Sequence, residues 1–166
     1  MSSVATTSAS LSTKLIVPFL TSVQSVFAMM VKVEAKAGRP FLKTDAAVTH
    51  DVSSIIGFSG EIVGNVVVSF PTTVAEKLAS AFAGTPLTVK DADFADALGE
   101  LANMIVGGAK KHLGVSASIT CPSVIIGTGH HLARLRDVPC VVIPCATPVG
   151  DFAVEVNIKQ VECVKP

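Results

Sequence analysis

Tryptophan and tyrosine are absent from this 166-residue chain, which leaves eight Phe as its only large aromatic rings. The usual platforms for stacking nucleic-acid bases are therefore few. Charge is also scarce and evenly split, with 13 basic and 13 acidic side chains making up 16% of the residues. A chain of this kind carries no broad positive field to draw it onto nucleic acid or anionic lipid, so neither partner is expected. No two of the four cysteines, Cys121, Cys140, Cys145 and Cys163, have just two residues between them, the spacing of a zinc or redox pair. They read as reduced core thiols. His130 and His131 lie together in a Gly-containing stretch and, with Cys140 and Cys145, offer a conceivable metal set. A solvated His pair is the plainer reading, and no metal or cofactor bound by this chain is expected.

What is plentiful is apolar surface, at 49% of the residues, enough for one compact domain of this length. Residues 1–13 are mostly Ser, Thr and Ala and read as a flexible lead-in to a domain spanning residues 14–166. A secretory leader competes for this region, since residues 15–31 are largely apolar. Against it stand the long uncharged stretch before Lys14, the early Pro18, and the polar Thr21, Ser22, Gln24 and Ser25. No other segment is suited to span a membrane, and a cytoplasmic location is expected.

Leu15, Phe19, Val23, Val26, Phe27 and Met30 recur at helical spacing with Ser22, Gln24 and Ser25 between them, which predicts an amphipathic helix with Pro18 near its start. Residues 48–58 and 61–70 are rich in Val and Ile and flank Ser59-Gly60, the pattern of an antiparallel hairpin. Gly57, Gly60 and Gly64 read as turns or bulges, because no Gly-Lys-Ser/Thr follows to make a phosphate loop. A short helix follows Pro71-Thr72-Thr73, and a long one over residues 93–113 ends at Gly114. Residues 116–126, 138–143 and 152–161 read as strands, the last two as a hairpin. Helices and strands are partly segregated, which predicts an α+β fold with an antiparallel sheet.

On the long helix, Phe94, Leu98, Leu101, Ile105 and Ala109 form one apolar stripe facing the sheet. Asp96, Gly99, Glu100, Asn103, Gly107 and Lys110 fall on the other side, with Glu100 and Asn103 as surface neighbours three residues apart. Ala at either glycine would favour the helix by about 1 kcal/mol. The two glycines therefore suggest close approach by a partner's backbone. The plainer alternative is the solvated side of an amphipathic helix, and spacing alone does not decide between them.

The string Asp96-Ala97-Leu98-Gly99-Glu100-Leu101-Ala102-Asn103-Met104-Ile105 resembles the D-x3-E-x2-N signature of the CheC/CheX/FliY phosphatases. Pro18-Phe19, Gly57-Phe58-Ser59-Gly60, Val67-Val68-Ser69-Phe70-Pro71 and Gly107-Gly108-Ala109-Lys110 are also similar to CheX-type sequence, so the likeness runs over about residues 14–160. The signature occurs once here, as in the CheX branch, where CheC and FliY carry two copies. The family pattern includes a proline downstream of the Asn. Pro122 stands nearest to that place and is not counted among the functional residues.

The resemblance implies a phosphatase acting on the phosphorylated aspartate of a CheY-like receiver, which brings its own Mg²⁺. It assigns Asn103 to hold the attacking water and Glu100 to pair with the receiver's Lys, with Asp96, Gly99, Gly107 and Lys110 around them at the partner surface. A homodimer joined through strand edges is also implied. A noncatalytic receiver-binding or dimerisation module of the same fold remains a rival. A hydrolase using Cys121 or Cys140 with a His is a further one, disfavoured because both thiols lie beside Pro in apolar, strand-like surroundings.

Overall fold

The computed structural model describes residues 3–45 and 49–162, with side chains from residue 13 onward. Val48, the expected first residue of the hairpin, and Cys163 lie outside the described residues. Helix α1 (Ser3–Val26) runs into a π-helical turn, Phe27–Val31, closed by Lys32 in the left-handed conformation with φ 61°. The helix begins upstream of the apolar period, so Pro18 lies inside it rather than near its start. A Ser/Thr/Ala stretch has no period to announce a helix. The boundary expected at residues 13 and 14 falls within α1.

Two two-residue strands, β1 (Lys36–Ala37) and β2 (Phe41–Leu42), precede the hairpin of β3 (Val52–Gly60) and β4 (Ile62–Phe70). Then come α2 (Thr72–Ala83), α3 (Ala92–Lys110), β5 (Ala117–Ile119), β6 (Ser123–Ile126), β7 (Val141–Thr147) and β8 (Gly150–Gln160). All pairings are antiparallel, and the strand order is β1-β7-β8-β4-β3-β5, with β2 also on β7 and β6 also on β3. The α+β class read from the sequence is the one the chain adopts.

The expected single strand over 116–126 is broken. Phe58 pairs with Ile119 and Ile55 with Ser123, so four steps from 119 to 123 span only three from 58 to 55. That extra residue is a β-bulge at Cys121-Pro122, a place where proline's missing N–H costs the ladder nothing. The last hairpin runs right up to its turn, where the Thr147 hydroxyl donates to the Gly150 carbonyl at 2.6 Å.

All three helices cover one face of the sheet. There Phe152 stacks between Phe27, at 4.9 Å, and Phe70, at 5.3 Å. The segment Thr13–Val31 is long and apolar enough to cross a membrane, yet its Phe19, Val23 and Phe27 are fully buried in this core. Burying each of them is favourable by about 1.5–3 kcal/mol. Strand alternation sends Ser53, Val67, Glu155 and Asn157 to the opposite face. These four are also buried, because residues 127–140 cross that face as a strap.

Candidate functional site

Helix α3 starts at the turn where the Asp91 carboxylate accepts from the Thr88 amide at 2.7 Å and the Thr88 hydroxyl at 2.9 Å. Those bonds hold the Asp91 carboxyl below the usual carboxylate range. The apolar stripe is where the period puts it, with Phe94, Leu98, Leu101, Ile105 and Ala109 all fully buried. Ala102 and Val106 are fully buried as well, because α3 is held between the sheet and α1. The helix therefore exposes a narrower arc than an amphipathic wheel predicts.

Along that arc lie Asp96, Glu100, Asn103, Gly107 and Lys110, spaced four, three, four and three residues apart. Asp96 and Glu100 are exposed, and Asn103, Gly107 and Lys110 are partly so. Neither Glu100 nor Asn103 has a hydrogen-bond or ion-pair partner among the described residues. A carboxylate with open lone pairs thus stands beside an amide whose donor and acceptor are both free. Such a pair can grip a partner's cation and orient a water.

Gly99 corrects the sequence reading. It is buried rather than outward, and a Cβ placed there would stand 3.2 Å from Pro122 Cγ and 3.5 Å from Val124 Cγ2. Its smallness admits the chain's own β-bulge, not a partner. The wheel misplaced it because a twisted sheet carries β6 up alongside the helix. Gly107 keeps its outward place, with only Ile119 Cδ1 near its Cβ direction, at 4.0 Å.

Three features escaped the sequence reading. Ser22, expected on the polar side of α1, is buried and donates to the Ile105 carbonyl at 2.6 Å. Gly108, beside it, has no room for a Cβ against the Ser22 hydroxyl. A groove of about 580 Å³ runs between α1 and α3 from the site, lined by Thr21, Ser25, Met29, Met104, Gly107 and Lys110. Only the small residues on both helices could have hinted at that crossing.

The His–Cys metal set is not assembled among the described residues, and Cys121 is exposed rather than the core thiol its apolar neighbours suggested. His130 uses both ring nitrogens internally, toward the Gly127 carbonyl at 2.9 Å and the Ser53 hydroxyl at 3.0 Å. Cys140 and Cys145 are buried, and burial pushes both thiols up, Cys145 to about 12. A thiol so disfavoured as thiolate is a poor nucleophile and a poor ligand. Among the described residues, no group of three or more His, Cys, Asp or Glu is placed to hold a metal.

The antiparallel sheet covered by three helices is the fold of a CheC/CheX-like domain. The crystal structure of a chemotaxis protein CheX from Desulfovibrio desulfuricans is similar at a TM-score of 0.78 and 30% identity, over 89% of this chain and 99% of that one. The CheX-CheY-BeF3-Mg²⁺ complex from Borrelia burgdorferi is similar at 0.74 and 26% identity, over 88% of this chain and 98% of that one. By sequence, residues 52–146 match the family described as Chemotaxis phosphatase CheX. The CheY-P phosphatase CheX of Thermotoga maritima is 32% identical over 110 residues, 64% of this chain and 71% of that protein. The chain belongs to the CheX family of chemotaxis phosphatases.

Proposed function

We propose that this chain accelerates hydrolysis of the aspartyl phosphate on a CheY-like receiver, with Asn103 holding the water and Glu100 pairing with a receiver Lys. The observation that carries the reading is the unpartnered Glu100–Asn103 pair on the one outward stripe of α3, in a member of a phosphatase family. The water oxygen bonds to phosphorus as the bond to the aspartyl oxygen breaks. Its electron pair stays on the receiver's carboxylate and the water's protons leave with the phosphate. The receiver supplies the acyl phosphate and Mg²⁺, so this chain contributes position rather than covalent chemistry. Asp96, Gly107 and Lys110 border the pair and contact the receiver, in the cytoplasm where such receivers work.

With a phosphorylated receiver as substrate, Glu100→Ala is expected to raise KM roughly tenfold and to change kcat far less, since it removes a docking charge. Steady-state phosphate release measures both. An unchanged KM removes Glu100 from the docking role.

The same reading includes a homodimer joined through a sheet edge. Two edges carry exposed apolar residues, β2 with Phe41 at 54% and Leu42 at 63%, and β6 with Ile126 at 46%. One of the two variants Leu42→Lys and Ile126→Lys is expected to convert the dimer to monomer in sedimentation experiments. If neither changes the sedimenting mass, the strand-edge dimer is wrong.

A further inference from the structure

The turn of α3 that carries Glu100 and Asn103 is gripped from the sheet at its N-terminal end. The Ser54 hydroxyl donates to the Leu98 carbonyl at 3.3 Å, and Val124, the register partner of Ser54, stands against Gly99. Pro122 completes the seat, its Cγ 3.2 Å from where a Gly99 Cβ would be. The seat has little freedom to retreat. The Thr120 amide donates to the Gly57 carbonyl at 3.0 Å, the Gly57 amide donates to the Thr120 hydroxyl at 2.9 Å, and Ser123 is paired with Ile55. Proline's ring is itself rigid.

We infer that Pro122 and Gly99 are positioning residues for the phosphatase site: the bulge sets the height of α3 over the sheet and thereby the placement of the Asn103 amide four residues on. This inference rests on the proposed activity. It needs neither residue to touch the receiver, since both act through the helix backbone. Such a contact matters because a displacement of about 1 Å can cost roughly a hundredfold in rate.

The test is a compensating pair. Gly99→Ala forces the helix or the bulge to give by a few tenths of an ångström, so kcat on a phosphorylated receiver is expected to fall roughly tenfold. KM is expected to stay within about twofold, because the exposed Glu100 still docks. Thermal unfolding is expected to change little, as Ala is the better helix former. Adding Pro122→Ala gives the introduced methyl group the space vacated by the proline Cγ, and the double variant is expected to return to within about threefold of wild-type kcat. The side-chain amide resonance of Asn103, followed by ¹H–¹⁵N NMR, is expected to shift in Gly99→Ala and to return in the double variant. Wild-type kcat in Gly99→Ala overturns the inference, as does a folded double variant no faster than the single one. The amide resonance separates the two claims: a wild-type protein without phosphatase activity defeats the proposed function, whereas an unmoved Asn103 resonance defeats the positioning role alone.

Discussion

Asn103→Ala is expected to lower kcat for receiver dephosphorylation about a hundredfold, a barrier increase of about 2.7 kcal/mol, while KM stays within about twofold. The magnitude follows from what the amide is asked to do. It contributes neither a nucleophile nor a proton; it fixes one water in line with phosphorus, and loss of one well-placed polar group typically costs about 10²–10³ in rate. Stability is expected to be nearly unchanged, because Asn103 has no hydrogen-bond partner among the described residues to lose. Asn103→Asp is a useful companion. It keeps the shape and the acceptors but removes the donor and adds a negative charge facing an anionic phosphoryl group. Full kcat in Asn103→Ala ends the assignment.

The largest expected effect on stability lies on the other face of the sheet. The Glu155 side chain is 1% exposed and meets the Arg134 guanidinium, with Lys43 Nζ at 3.8 Å and the Thr49 amide at 3.1 Å. Arg134→Ala leaves that carboxylate buried with a weaker set of partners, for which a loss of about 3–5 kcal/mol is typical. The same change unhooks the middle of the strap over residues 127–140, which is otherwise fastened by His130 on the Ser53 hydroxyl and by Asn157. The Asn157 carbonyl oxygen accepts from the Leu135 amide at 3.0 Å and its amide group donates to the Val138 carbonyl at 2.9 Å. Urea denaturation measures the loss. Replacing both charges, in Arg134→Leu with Glu155→Leu, is expected to recover most of it, because the buried carboxylate is then gone and Lys43 keeps Asp45 at 3.6 Å. A loss under about 1 kcal/mol in Arg134→Ala contradicts this account of the network.

The difference between these two regions also marks what the sequence could disclose. The face of α3 was legible because a strong 3.6-residue period separates Phe94, Leu98, Leu101, Ile105 and Ala109 from Glu100 and Asn103. The hairpins were legible for the same kind of reason, strand-like runs around short turns. What stayed hidden depends on contacts between elements distant in the chain. Ser22, Ser53, Ser54, Ser69, Glu155 and Asn157 are buried polar residues, and a periodic reading sends such residues to solvent. The crossing of α1 over α3 makes Ser22 interior, α3 itself covers Ser54, and the strap over the back of the sheet covers the others. The bulge at Cys121-Pro122 was invisible for a related reason, since a bulge is a mismatch between two strands and neither strand alone contains it. Gly99 combined both difficulties, lying at the margin of the apolar stripe and beside that bulge. The strands β1 and β2, two residues each, are too short to show any alternation at all.

Whether this chain speeds loss of phosphate from a receiver is tested most directly by timing that loss. A CheY-like receiver is phosphorylated with a labelled small-molecule phosphodonor, the donor is removed, and the label is followed with and without the wild-type chain in the presence of Mg²⁺. At saturating protein, the expected loss is about a hundredfold faster than the receiver's own. A receiver that binds this chain yet loses its phosphate at the unassisted rate would contradict the proposed activity, and would leave a docking module in place of an enzyme.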